Sequence, residues 1–417
     1  MLLRRFVRDA LTSPTAGYFS RDVVGSLDAP LAFRSMLGEA DYRAALAASY
    51  SSAHRAWLTP SEIFHPTYAR ALARSLAARH ARLYPSEPLQ LLELGGGRAT
   101  AAHGILSWLR DEAPALFDRS SYTLVEASAR LAEAQRARLL AFAPRVEVVH
   151  AGALEWCEGR GGREGAWHVL ALELLDNLPH DKLRVRRGAL EEARAEQDAG
   201  GAWRERFVPL RDETLAEASR VLRVDSFDGA EALEEAMVAR PTLGGGRSVP
   251  LSARLRKLLR PILGRSREYV DVYVPTDAWR LLKGLAHAVP EHQLTIADFS
   301  WLPPQPGGAV ASPVVQSQHG GVSRDHKGDI FAAAGGECDV FFPTHFDSLE
   351  RMCRAVGHKQ VQSVTTTTFM AEFADLSETE TRCGYNPLLE DFVNTSILVT
   401  GGEQMYEDRR RPPDLFY

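Results

Sequence analysis

Cysteine is scarce in this 417-residue chain: Cys157, Cys338, Cys353 and Cys383 are the four, widely spaced and with no CxxC pair. That spacing excludes a disulfide framework and the usual zinc-ribbon patterns, and it fits a reducing compartment. No apolar run approaches the roughly 18–20 residues that span a bilayer as a helix. A basic excess is missing too. The formal net charge is −5, so no global positive field points to nucleic acid. No Gly-Lys-Ser/Thr follows a glycine-rich turn, which disfavours a phosphate loop for ATP. With 45% hydrophobic and 25% charged residues, the composition is that of an ordinary folded globular chain.

The most informative stretch is Leu89-Gln-Leu-Leu-Glu-Leu94, a compact apolar run that breaks into Gly95-Gly-Gly97 before a helical pattern from about Ala99 to Asp111. A strand that turns sharply into a helix across glycines brings its backbone close to a ligand. Further strand signals at Ser121–Glu126, Arg145–Val149 and Trp167–Leu172 alternate with helical ones. That alternation predicts an α/β fold with a doubly wound parallel sheet; together with the glycine turn and the acids near it, the expected type is the Rossmann-like class I methyltransferase fold. NAD binding requires GxGxxG, but the third glycine position holds Thr100. An acidic residue just before the turn, Glu93, suits the amino-acid end of S-adenosylmethionine. Glu126, closing the next strand, suits its ribose hydroxyls. The expected cofactor residues are therefore Glu93, Gly95, Gly96, Gly97 and Glu126. No metal site is expected, because the histidines are scattered.

Beyond the core, Leu183–Arg187 and Trp203–Val208 are expected to pair as antiparallel strands around Gly200-Gly201. Leu302–Gln318 reads as a loop, and Leu294–Phe299, Asp339–Phe342 and Ser396–Thr400 as later strands. The expected organisation is a helical cap over 1–85, a nucleotide-binding core over 86–210, a helical insertion over 211–285, and C-terminal strands over 286–417 that complete the sheet. The basic start, Met1 to Arg8, reads either as a first helix with a solvated basic face or as the stub of a mitochondrial presequence. The cluster from Arg254 to Arg267 reads either as a solvated face or as a docking surface for RNA, acidic protein or anionic lipid.

Several motifs then converge. Val125-Glu-Ala-Ser128 with Leu131 and Gln135 resembles the "VE-S--L---Q" stretch of the MidA-like methyltransferases, a family that includes a mitochondrial protein-arginine methyltransferase assisting respiratory complex I assembly. Leu91 to Thr100 is similar to its glycine loop, and Glu173-Leu-Leu-Asp-Asn-Leu-Pro179 resembles its "NEF-DALP". Ala16-Gly-Tyr-Phe19, Thr59-Pro-Ser-Glu62, Trp203-Arg-Glu-Arg206, Ala297-Asp-Phe299 and Cys338-Asp-Val340 resemble its "GYY", "T-PE", "W-ER", "DYG" and "aDvT". The resemblance is patchy between about Arg211 and Tyr269. Two departures touch the acceptor side: Arg55-Ala56-Trp57-Leu58 replaces the family's "GDF", and Leu172 replaces the Asn of its "NE".

The resemblance implies an S-adenosylmethionine-dependent protein arginine methyltransferase in the mitochondrial matrix. Its partner would be a protein substrate or a large assembly, either a respiratory complex or a mitochondrial ribosome precursor. The departures leave open a degenerate member acting as an assembly factor. Methyl transfer from a sulfonium is an in-line displacement, in which alignment and exclusion of water matter most. Carboxylates can hold a planar, cationic guanidinium in a fork. Glu173, ending an apolar strand, is the first candidate, followed by Asp176 and Glu62. Asp176 reads equally as a turn cap ahead of Pro179, and Glu62 as a first-turn helix residue. His103 reads as a packing residue.

Overall fold

The computed structural model describes every residue except 22, 28, 53–56, 159–160, 239, 242–246, 249–266, 306–307, 320–321 and 403–417. Four parallel strands come first: β1 (Gln90–Leu94), β2 (Ser121–Glu126), β3 (Val146–His150) and β4 (Trp167–Leu172). Then follow β5 (Asp181–Arg186), β6 (Ala189–Gln197), β7 (Trp203–Pro209), and the two-residue β8 (Arg240–Pro241) and β9 (Arg247–Ser248). The remaining strands are β10 (Tyr269–Val274), β11 (His292–Phe299), β12 (Val314–His319), β13 (Val322–Asp325), β14 (Cys338–Phe341), β15 (Val361–Thr365) and β16 (Thr395–Thr400).

The main sheet has seven strands in the order β15-β16-β11-β4-β1-β2-β3. β1 pairs in parallel with both β2 and β4, and β16 runs antiparallel to β11. The chain winds outward from β1 to β3 and then returns to β4 on the other side of β1. The crevice of such a sheet opens beyond the carboxyl ends of β1 and β4. The C-terminal strands complete the sheet, as expected.

Alternation along β1 explains its double burial. Leu92 and Leu94 enter the core shared with the helices Thr276–Ala288 and Phe346–Ala355. Leu91 enters the opposite core, shared with Thr67–Leu83 and Thr100–Glu112. Each fully buried leucine contributes about 1.5–3 kcal/mol relative to exposure. The same alternation puts Glu93 on the Leu91 face, where it is 2% exposed.

Four expectations are corrected. β5 does not pair with β7, because β6 lies between them and the Gly200-Gly201 turn joins β6 to β7. The β6 sequence, Ala-Leu-Glu-Glu-Ala-Arg-Ala-Glu-Gln, has helix-forming composition; burial of Ala193 and Ala195 in the sheet overrides it. The span expected to be a loop contains β12. The expected insertion ends too late: β10 pairs with β5, and Thr276–Ala288 is a core helix of the main sheet. Finally, the basic residues of the first helix, Leu3–Thr12, are not all solvated: only Arg5 is exposed. Arg4 is 9% exposed and pairs with Asp181 and Asp212, and Arg8 pairs with Asp277.

In the basic cluster, Arg254 to Arg265 lie outside the described residues, while Arg267 pairs with Glu234. No helix among the described residues is long and apolar enough to cross a membrane. The four cysteines are unpaired thiols.

Candidate active site

The glycine turn sits at the mouth of the crevice. Gly95 has φ +71° and Gly97 φ +51°, in the left-handed region that side chains disfavour. Space is equally restrictive. A Cβ on Gly95 would stand 2.9 Å from Leu174 Cδ1, and one on Gly96 2.9 Å from Leu124 Cδ2. The Gly95 N–H donates to the Val125 carbonyl at 2.9 Å, tying the turn to β2.

Two carboxyl groups flank the turn. Glu93 Oε2 accepts the Tyr122 hydroxyl at 2.9 Å, and burial pushes its acid up to about 7. Glu126 Oε1 accepts the Ser128 N–H at 2.9 Å. The Gln135 amide donates both to Glu126 Oε2 at 3.1 Å and to the Gly97 carbonyl at 2.9 Å. Burial raises the Glu126 acid, and these donors oppose that rise. The sequence stretch containing Glu126, Ser128 and Gln135 is thus one hydrogen-bonded unit holding a carboxylate beside the glycine turn.

A cleft of about 510 Å³ opens there, and its walls include Glu62, Tyr68, Glu93, Gly95, Gly96, Gly97, Leu172 and Glu173. Glu126 stands behind this wall at the end of β2, joined to it through Gln135. Glu173 terminates β4 with φ +50°, an uncommon backbone for a residue with a side chain. Its N–H is held by the Ala297 carbonyl at 2.8 Å. No hydrogen bond reaches its carboxylate among the described residues, and burial, with the nearby charge of Asp298, pushes it up to about 8.

The other candidate carboxylates are placed differently. Asp176 is 4% exposed and lies outside the cleft wall, facing Asp298, Glu173 and Asp339. No partner among the described residues reaches its Oδ1. Glu62 lines the cleft, but both oxygens are engaged, Oε1 by the Leu27 N–H at 2.8 Å and Oε2 by the Thr100 hydroxyl.

His103 packs against Phe142, ring centroids 5.4 Å apart. His180 stacks on Phe342 at 3.9 Å and is driven down to about 3 by burial, which keeps it neutral near pH 7. Trp57 donates its indole N–H to the Tyr18 hydroxyl at 2.8 Å and does not line the cleft.

The structure adds participants to which pattern reading gave no role. Asp298, at the end of β11, accepts the backbone N–H groups of Leu175 and Asp176 at 2.9 and 3.1 Å on one oxygen. Tyr68 joins the cleft wall from the helix Thr67–Leu83; a single aromatic in an amphipathic helix carries no sequence signal for such a role.

A family model described as "Putative S-adenosyl-L-methionine-dependent methyltransferase" matches residues 71–365. The chain belongs to this family. The match spans most of the chain, and the MidA-like resemblance of the motifs agrees with it. A Burkholderia thailandensis protein crystallised with S-adenosyl-homocysteine is similar in structure to this methyltransferase-family chain. Its TM-score is 0.59 at 17% identity, over 97% of this chain and 88% of that one. A native structure of an uncharacterized protein from the same organism gives 0.55 at 16% identity, over 96% and 87%. At these identities the likeness concerns the fold. No curated protein matches this methyltransferase-family chain.

The family's cofactor is S-adenosylmethionine, and the residues present fit it. A Cβ at Gly95 or Gly96 would collide with Leu174 or Leu124, so only glycine keeps this turn in place, and its three glycines line the cleft. Of the two acids, Glu93 lines the cleft and Glu126, held by Ser128 and Gln135, stands just behind its wall.

Proposed function

We propose that this chain transfers methyl groups from S-adenosylmethionine to arginine in a protein partner, with Glu173 as the carboxylate that receives the guanidinium. One observation carries the reading: a carboxylate with no hydrogen-bond partner among the described residues, on a left-handed residue just after β4, in the wall of the cleft that holds the glycine turn. Glu93 and the turn would hold the amino-acid end of the cofactor, and Glu126 its ribose. When bound, the cofactor supplies an activated methyl group.

Glu173 then orients the acceptor. A buried acid raised toward 8 ionises readily once a guanidinium stands beside it, because an opposite charge favours the charged form. The carboxylate fixes the planar cation and turns one nitrogen toward the donor. As the new N–C bond forms at the expense of the cofactor's S–CH3 bond, that nitrogen loses a proton, which Glu173 Oε would take, leaving methylarginine and the thioether S-adenosylhomocysteine. Tyr68 and Leu172 in the wall limit water.

Arginine as acceptor, mitochondria as location and complex assembly as setting are drawn from the family resemblance. A second reading, a non-catalytic assembly factor, is favoured by Leu172 in the wall and by the engaged oxygens of Glu62. Incubation with methyl-labelled S-adenosylmethionine and cell extract, followed by mass spectrometry of labelled protein, separates the two. Methylarginine that disappears with Glu173→Gln supports transfer; cofactor binding with no label in any protein supports assembly.

A further inference from the structure

Glu62 does something other than receive an acceptor. The segment Val23–Leu27 forms only an isolated bridge, between Val24 and Trp57, and otherwise no helix or strand. It nevertheless lies over the glycine turn: Val24 and Gly25 line the cleft, and a Cβ on Gly97 would be 3.6 Å from Val24 Cγ1. Among the described residues, besides the packing of Val23 and Leu27, three sets of hydrogen bonds hold it there. Trp57 donates its N–H to the Val23 carbonyl and accepts the Gly25 N–H on its own carbonyl, both at 2.9 Å. Arg98, beside the turn, donates to the Val24 carbonyl at 2.9 Å. The third attachment is Glu62.

Glu62 is 5% exposed and joins two different elements. Oε1 takes the Leu27 N–H, at the far end of the segment, and Oε2 takes the hydroxyl of Thr100, the first residue of the helix that follows the glycine turn. We infer that Glu62 is a positioning residue for the cofactor: it is the clasp that holds the strap Val23–Leu27 closed over the turn Gly95–Gly97. This inference rests on the cofactor cleft described above and assigns Glu62 to binding rather than to the acceptor. A carboxylate suits the position because it accepts two donors and offers none. Without it, the Leu27 N–H loses its partner, and that end of the strap keeps only the packing of the partly buried Leu27 side chain.

The test measures S-adenosylhomocysteine affinity by calorimetry and amide exchange at Leu27 by mass spectrometry. Glu62→Ala is expected to weaken binding about tenfold, the effect of losing one or two net hydrogen bonds, and to speed Leu27 exchange. Glu62→Gln keeps one oxygen for Leu27 and lets Thr100 accept from its amide, so it restores most of both losses. Thr100→Val, a milder change, gives a smaller loss in the same direction and serves if Glu62→Ala fails to fold. Unchanged affinity in a folded Glu62→Ala or Thr100→Val chain overturns the clasp. Full affinity with methyl transfer abolished assigns Glu62 to the acceptor instead. A parent chain that binds no S-adenosylhomocysteine overturns the cofactor cleft itself, whereas a parent that binds, with variants that bind equally, overturns the clasp alone.

Discussion

Asp298 holds the loop on which Asp176 stands: its Oδ2 accepts the Asp176 N–H at 3.1 Å and that of Leu175 at 2.9 Å. Asp298 ends β11 and Glu173 ends β4, adjacent parallel strands. A carboxylate on one strand end therefore fixes the turn that leaves the next, just after the left-handed Glu173. Replacing Asp298 with Ala leaves two buried N–H groups unpaired, at about 1–3 kcal/mol each. The expected result is a marked drop in the urea midpoint, with a smaller drop for Asp298→Asn.

Glu173 makes stability depend on pH. Its acid lies near 8 in the folded chain against an ordinary 4.5, so the folded state binds the proton more tightly than the unfolded state. The stabilisation is fully present below about 4.5 and is lost as pH rises through 8. Glu173→Gln removes this dependence. The variant is expected to gain on the parent in thermal midpoint as pH rises from 5 toward 9, measured by calorimetric scans in matched buffers. No change in the difference across that range would contradict the assignment.

Gly96→Ala inserts a methyl group 2.9 Å from Leu124 and 3.3 Å from Glu93. Either the turn or Leu124 must shift. S-adenosylhomocysteine affinity is expected to fall by about tenfold or more, with a stability loss of about 1–3 kcal/mol. Calorimetric titration together with a denaturant melt checks both.

Gln135 spans from Gly97 to Glu126. Gln135→Ala cuts that link and frees a buried carboxylate oxygen. The expected outcome is weaker S-adenosylhomocysteine binding with a smaller change in melting temperature. Equal binding would separate Glu126 from the cofactor.

The core of the fold was legible because each strand ends in a turn signal: apolar Leu91 to Leu94 into glycines, Tyr122 to Val125 into Glu126. β6 escaped notice because Ala and Glu carry no strand preference, and only pairing with β5 and β7 makes a strand of them. The candidate acids Glu62, Glu93 and Glu173 do meet in one cleft: Glu93 and Glu173 lie at the carboxyl ends of β1 and β4, and Glu62 joins them from the short helix Pro60–Ile63. The engagement of Glu62 by Leu27 and Thr100, the retreat of Asp176 from the wall and the bracing by Asp298 depend on contacts distant in the chain. No spacing along the sequence encodes them.

A crystal soaked with S-adenosylhomocysteine tests the central claim most directly. Electron density is expected to place its amino-acid end beside Glu93 and Gly95 and its ribose hydroxyls toward Glu126, under Val24. Density elsewhere on the molecule, or a ribose remote from Glu126, would contradict the account.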